Sequence, residues 1–229
     1  MKYKNPIVSG RFLKRINRFI AEVEVDGKKE LVHVRNTGRC KEIFLPDTQI
    51  YLEEAKGEKR KTKYSLVSVY KEDRLINVDS QIVNYVFEEA VINNQIDFLT
   101  NPDIFLREKT YKSSRFDFYY EKGPKKGFIE LKGVTLEKDN DTMFPDAPTS
   151  RGKKHIMELI VGAHEGYENY LVFLIQMEGT NISRPNKETD PAFAEVLKEA
   201  KNNGVHIFAF DSLISQNTIT LDKKIQISI

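Results

Sequence analysis

The chain has 229 residues, 40% of them apolar and 31% charged, with 36 Lys and Arg against 34 Asp and Glu. This balance suits a soluble globular protein with a proper core. One cysteine, Cys40, excludes an intrachain disulfide and a zinc cluster built from cysteines. No apolar run approaches transmembrane length, and the start, Met1 to Pro6, lacks a signal-peptide stretch, so a cytoplasmic protein without a membrane partner is expected.

The net charge of +2 is unevenly spread. Residues 1–80 hold 18 Lys/Arg and 12 Asp/Glu, and residues 81–229 hold 18 and 22. A basic segment joined to a mildly acidic one suggests a polyanion-binding module beside one suited to metal.

Residues 7–79 read as all-β. Arg18 to Val25 alternates, placing Phe19, Ala21, Val23 and Val25 on one face. Asp26-Gly27 is a hairpin turn, and Glu30 to Arg35 alternates again. Gln49–Glu53, Tyr64–Tyr70 and Leu75–Val78 complete a set of short strands, which fits a small barrel of the OB-fold kind over residues 1–80. Such barrels bind nucleic acid through basic, aromatic-studded surfaces. The candidate contacts are Arg11, Phe12, Lys14, Arg15, Arg18, Arg35, Arg39 and the loop Lys59-Arg60-Lys61. In Arg35-Asn36-Thr37-Gly38-Arg39, two arginines flank a small turn that suits phosphate. Cys40 is expected to be a buried thiol and His33 to be structural or surface.

Residues 81–229 alternate between element types. Asp79-Ser80 caps a predicted helix to about Asn93, with Ile82, Val83, Val86, Phe87, Ala90 and Val91 as its apolar stripe. Predicted strands follow at Leu106–Tyr111, Arg115–Tyr120 and Gly127–Leu136. A helix over Ser150–Glu165, a strand at Tyr170–Gln176, a helix over Pro191–Asn202, a strand at Val205–Phe210 and an extended segment at Thr218–Ile227 complete the reading. This is an α/β segment with a mixed sheet flanked by helices.

The chemistry concentrates in the hairpin of the second and third of these strands. Asp117 precedes Glu130-Leu131-Lys132 across a Gly-Pro-Lys-Lys-Gly turn. Residues two apart on a strand share a face, so Glu130 and Lys132 lie together and the partner strand can bring Asp117 beside them. Two carboxylates repel unless a cation lies between them, and Mg2+ (or Mn2+) typically takes one or two carboxylates plus substrate phosphate oxygens. A lysine beside such a pair orients water or balances phosphoryl charge.

The loop Met143-Phe144-Pro145-Asp146-Ala147-Pro148 delivers Thr149 or Ser150 as the cap of the next helix. On that helix Arg151, Lys154, His155 and Glu158 fall within an arc of about 100°. Cations near a helix N-terminus oppose its dipole unless an anion binds, so Arg151, Lys154 and His155 are expected to contact the DNA backbone or scissile phosphate.

The order helix, strand, strand, strand, helix, strand resembles the core of the PD-(D/E)XK nuclease superfamily. By that resemblance Asp117, Glu130 and Lys132 occupy the catalytic positions. A helix glutamate, Glu88 or Glu89, adds a further metal or water ligand; Glu89 is taken here, with Asp117 and Glu130, as the metal set. The whole chain resembles the sugar fermentation stimulation protein family. The resemblance rests on Val34-Arg35-Asn36-Thr37-Gly38-Arg39, Ser114-Arg115-Phe116-Asp117-Phe118, Glu130-Leu131-Lys132-Gly133-Val134-Thr135-Leu136 and, above all, Phe144-Pro145-Asp146-Ala147-Pro148-Thr149-Ser150-Arg151-Gly152 followed by Lys154-His155. It implies an OB-like segment, a nuclease-like segment and a prokaryotic cytosolic protein that binds single- or double-stranded DNA with little sequence preference.

Two functions from different classes follow. One is a metal-dependent DNA phosphodiesterase; cutting both strands would commonly need two sites, which a homodimer supplies. The other is a non-catalytic DNA-binding regulator of sugar-metabolism gene expression on a nuclease-like scaffold. An OB module that binds RNA or a protein partner is a third reading.

Overall fold

The structure, a computed structural model, describes residues 1–36, 38–56 and 60–229, so Thr37 and Lys59 lie outside the described residues. The first sheet is built from β1 (Ile7–Arg15), β2 (Ile20–Val25), β3 (Lys28–Val34), β4 (Gln49–Glu54), β5 (Tyr64–Lys71) and β6 (Arg74–Asn77). Their order is β3-β2-β1-β4-β5-β6, and a parallel contact of β3 with β5 closes the first five into an OB-like barrel. Closure removes the free edges that an open sheet would expose. Ala21, Val23 and Val25 point inward as the alternation predicts.

Two expectations change here. Phe19 lies just before β2 and is 51% exposed, outside the buried face of that strand. Phe12 is not a surface contact: it is buried and stacks on Phe44 at 5.2 Å. β1 itself escaped the sequence reading. Its register slips between Phe12 and Lys14, which breaks the period-two pattern. Gly10 also lies against β2, where an added Cβ would fall 2.6 Å from the Glu24 carbonyl oxygen.

The second sheet follows α1 (Val83–Ile92) and a short 3-10 turn (Asp97–Leu99). Its strands are β7 (Ile104–Tyr111), β8 (Ser114–Lys122), β9 (Lys125–Val134), β10 (Leu136–Lys138), β11 (Asp141–Phe144), β12 (Tyr170–Ile175), β13 (Ile182–Pro185), β14 (His206–Ile214) and β15 (Ile219–Ile227). They are ordered β10-β11-β13-β15-β14-β12-β9-β8-β7. β9, β12 and β14 run parallel, with β8 antiparallel to β9. β12 is buried at every position, as expected of a parallel strand covered on both faces. α2 (Ser150–His164) and α3 (Pro191–Asn202) pack together. The α1 stripe is buried as predicted, but the helix begins at Val83 with no side-chain cap. Asp79 instead accepts from the Gln81 N–H at 2.9 Å. Thr149 caps α2, its hydroxyl accepting from Gly152 N–H at 3.0 Å.

One of two apolar clusters runs through both sheets, with Phe12, Val34, Leu66 and Ile76 of the barrel in the same cluster as Phe116, Phe173, Phe193 and Leu197. Among the described residues, no helix is long and apolar enough to cross a membrane.

Candidate functional site

β8 and β9 form the hairpin, Phe118 facing Ile129, and so bring Asp117 alongside Glu130. Asp117 Oδ2 accepts from the Leu131 N–H at 2.7 Å, and Oδ1 accepts from the Asn84 side-chain amide of α1 at 2.9 Å. Glu130 is 3% exposed. Its Oε1 accepts from the Lys132 ammonium and from His155 Nδ1, the latter at 2.6 Å. The other oxygen, Oε2, is buried and, among the described residues, has no hydrogen-bond partner. Arg151 Nε donates to His155 Nε2 at 3.4 Å, so an exposed arginine connects through the ring to Glu130.

The electrostatics of the two acids differ. Burial, and then the charge of Glu130, push the Asp117 carboxyl above the usual carboxylate range; hydrogen bonds from Leu131 and Asn84 and the charge of Lys132 oppose them. Burial also opposes ionisation of Glu130, but the Lys132 charge and the His155 hydrogen bond outweigh it and hold that carboxyl below its ordinary value. Glu130 is thus the settled anion and Asp117 the strained one. A buried carboxylate oxygen without a donor costs free energy and calls for an explanation. A cation at Glu130 Oε2 beside Asp117 would supply it, and the donor set is hard oxygen, of the kind that suits Mg2+, Mn2+ or Ca2+. Among the described residues no group of three or more His, Cys, Asp or Glu converges to hold a metal. Two carboxylates fit a cation that keeps its remaining positions for water and phosphate oxygens.

Several expected site residues lie elsewhere. Glu89 does not join Asp117 and Glu130: it is exposed and pairs with the Met1 ammonium. The helical repeat explains this. Asn84 and Glu88, four residues apart, flank the apolar stripe on one side, whereas Glu89 flanks the other. Glu88 is held by Arg107, whose Nε donates at 2.8 Å. The α1 residue that reaches the site is Asn84, which the sequence reading missed. Its only signal was a single amide beside the apolar stripe.

His155 is not a surface contact to DNA. It is buried against Glu130 because it sits at the margin of the polar arc, next to the face of Leu159, and Glu130 offers it a partner. Arg151 and Lys154 are exposed as expected, with Lys154 Nζ donating to the Ser113 carbonyl at 3.2 Å.

In the barrel, Arg35 is a half-buried clamp and not a free phosphate contact. Its guanidinium donates to Glu53 at 2.7 Å and Asp79 at 2.8 Å. Arg15 is also structural, donating to the carbonyls of Asn17, Arg18, Asn36, Gly38 and Arg39. Those bonds rivet the β1–β2 loop to the segment after β3. Arg11 faces Glu24 on β2 and shares a cleft with Asp26 and Asp47, which neutralise that surface. Lys14 lies 3.8 Å from Glu22. Arg60 donates to Ser65 Oγ at 3.1 Å, and Lys61 is exposed. Arg18 and Arg39 are exposed on the two riveted loops, and among the described residues neither forms an ion pair. Cys40 is buried, and burial first, then the Asp146 and Glu42 charges, push its thiol up to about 12.

Comparison with known proteins places this architecture. Residues 13–78 match the model described as the SfsA N-terminal OB domain, and residues 81–218 match the sugar fermentation stimulation protein RE domain. A sugar fermentation stimulation protein homolog of Clostridium beijerinckii is 48% identical over 96% of this chain and 96% of its own length. The homolog of Alkaliphilus oremlandii is 47% identical over 99% and 98%. The solved structure of Pyrococcus furiosus SfsA in complex with Ca2+ superposes with a TM-score of 0.92 at 30% identity, covering 100% of this chain and 98% of that one. The chain belongs to the sugar fermentation stimulation protein family.

Proposed function

We propose that this protein is a divalent-cation-dependent DNA phosphodiesterase with little sequence preference. The observation that carries the reading is the buried, unpartnered Oε2 of Glu130 beside Asp117, with Lys132 on the same face. The Ca2+ complex of the Pyrococcus furiosus relative supports a hard cation in this fold. Asp117 and Glu130 would hold Mg2+ or Mn2+, which would supply Lewis-acid activation of the phosphoryl group and of water.

The chain's own residues prepare that site. Leu131 N–H and Asn84 fix the Asp117 carboxylate. His155 and Lys132 occupy Glu130 Oε1 and leave the buried Oε2 to accept a ligand. Lys132 lies next to the place a phosphate oxygen would occupy and balances the charge that develops there. Arg151 and Lys154, exposed near the N-terminus of α2, hold the backbone by charge.

The test is cleavage of labelled single- and double-stranded DNA with Mg2+ or Mn2+ by the wild type, Glu130→Ala and Lys132→Ala, with binding recorded on the same samples. Cleavage by the wild type, reduced at least about 100-fold in both variants with binding retained, is the expected result. Binding by all three without cleavage by the wild type would reject it and leave a DNA-binding regulator. That second reading has one observation in its favour, since both oxygens of Asp117 already accept hydrogen bonds from the protein.

A further inference from the structure

A cleft of about 370 Å3 lies between the barrel and the second sheet. Its volume falls in the range of roughly 300–1,000 Å3 typical of small-ligand pockets. Gly133, the residue after Lys132, lies in its lining. So does Thr149, the cap of the helix whose His155 touches Glu130. The cleft is therefore anchored to the site through one strand and one helix.

The chemistry of the lining is selective. Its neutral hydrogen-bonding groups come from Asn36, Ser80, Thr135 and Gln176, and its apolar walls include Pro145 and Pro148. Arg18 stands on its barrel side, exposed and, among the described residues, without an acid partner. Asp146 also lines the cleft, and its Oδ2 is taken by the Arg39 N–H at 2.8 Å. That bond ties the barrel loop to the Pro145–Pro148 loop, so the two walls cannot spread freely. Gly38 permits the approach, because a Cβ there would lie 2.4 Å from Asp146 Oδ2.

We infer that this cleft takes one unpaired nucleotide, its base among the neutral groups and proline faces and its phosphate near Arg18. The substrate class is then a single strand, or a frayed or gapped end, in preference to intact duplex. A base reaches such a lining only when it is unstacked and unpaired, and the lining amides and hydroxyls suit a base edge better than a phosphate. Phe19, next to Arg18 in sequence and 51% exposed, is an aromatic face available to a neighbouring base. By contrast, the outer face of the barrel carries Glu22 and Glu24 beside Lys14 and Lys29, and is electrostatically balanced.

The inference rests on reading Asp117, Glu130 and Lys132 as the phosphodiester site. Its test is separable, because binding is measured by fluorescence anisotropy in EDTA. The probes are a fluorescein-labelled single-stranded oligonucleotide, the same strand carrying abasic sites, and its duplex. The wild type is expected to bind the intact single strand about 10-fold tighter than the other two. Ala147→Phe, which fills the cleft, should abolish that preference, and Arg18→Glu, an exposed change that spares the core, should weaken single-strand binding about 10-fold. Equal affinity for intact and abasic strands overturns the inference whether or not the variants fold. So does an unchanged preference in a folded Ala147→Phe protein. Base preference without Mg2+-dependent cleavage would keep the cleft and reject the phosphodiesterase; cleavage without base preference would do the reverse.

Discussion

His155 shows how one side chain can set the chemistry of another. Its Nδ1–H and the Lys132 ammonium both engage Oε1 of Glu130, which leaves Oε2, among the described residues, without a protein partner. Outer partners of this kind typically change metal affinity about 10- to 100-fold when removed. His155→Phe should therefore weaken Mn2+ or Ca2+ binding in calorimetric titration by about 10-fold, and His155→Gln, which keeps a donor, should recover most of it. Equal binding by His155→Phe and wild type would reduce His155 to a packing residue. That Asp117, Glu130 and Lys132 come together was legible because a period of two and a Gly/Pro turn are local signals. The pairing of His155 with Glu130 was not, because it joins residues 25 apart on different elements. A helical arc cannot tell a polar residue facing water from one facing a buried acid. The same limit affected Arg35, whose neighbours Glu53 and Asp79 are distant in sequence.

Elements, too, were legible where they were long and periodic. β2, β8, β9 and the three helices carry their own pattern. β10, β11 and β13 have three or four residues each, too few to show alternation. β10 and β11 nevertheless matter, because Glu137 on β10 clamps the barrel hairpin to the second sheet. It pairs with Lys71 at 2.6 Å and with Arg74 at 3.4 Å, and accepts from Asn140 N–H at 2.6 Å. Burial alone would raise its carboxyl, but the Lys71 and Asn140 hydrogen bonds and the Lys71 and Arg74 charges hold it below the ordinary value. A folded-state pKa below the unfolded one gives stability that is present above the unfolded value of about 4.3. That stability is lost as pH falls through the folded value. Glu137→Gln should lower stability by about 1–3 kcal/mol at pH 7. The difference between variant and wild type should shrink in denaturant melts as pH falls below about 4. A difference that persisted undiminished at low pH would assign the effect to packing.

At the scale of the molecule, the barrel and the second sheet are bound into one unit by more than the covalent connection. The apolar core is shared, Asn77 N–H donates to the Gln176 carbonyl, and Gln176 Nε2 donates back to Asn77 Oδ1 at 2.9 Å. The first residues add a strap: Lys2 bridges Thr218, and Tyr3, buried, accepts from the Asn77 amide. Such coupling should make unfolding all-or-none, with calorimetric and van't Hoff enthalpies equal. A ligand that binds only the folded state then stabilises every element, not just its own site. With Ca2+ at about 100 times its dissociation constant, the gain is about 2.7 kcal/mol. For a chain of this length that corresponds to a midpoint shift of roughly 5–10 °C. Hydrogen exchange at the most protected amides of β2 and β3, far from Glu130 in sequence, should slow by the same free energy as those of β9. Glu130→Gln should abolish the shift at both places. Protection confined to β8, β9 and α2, or two separable melting transitions, would mean that the barrel folds on its own account and that cation binding is not communicated to it.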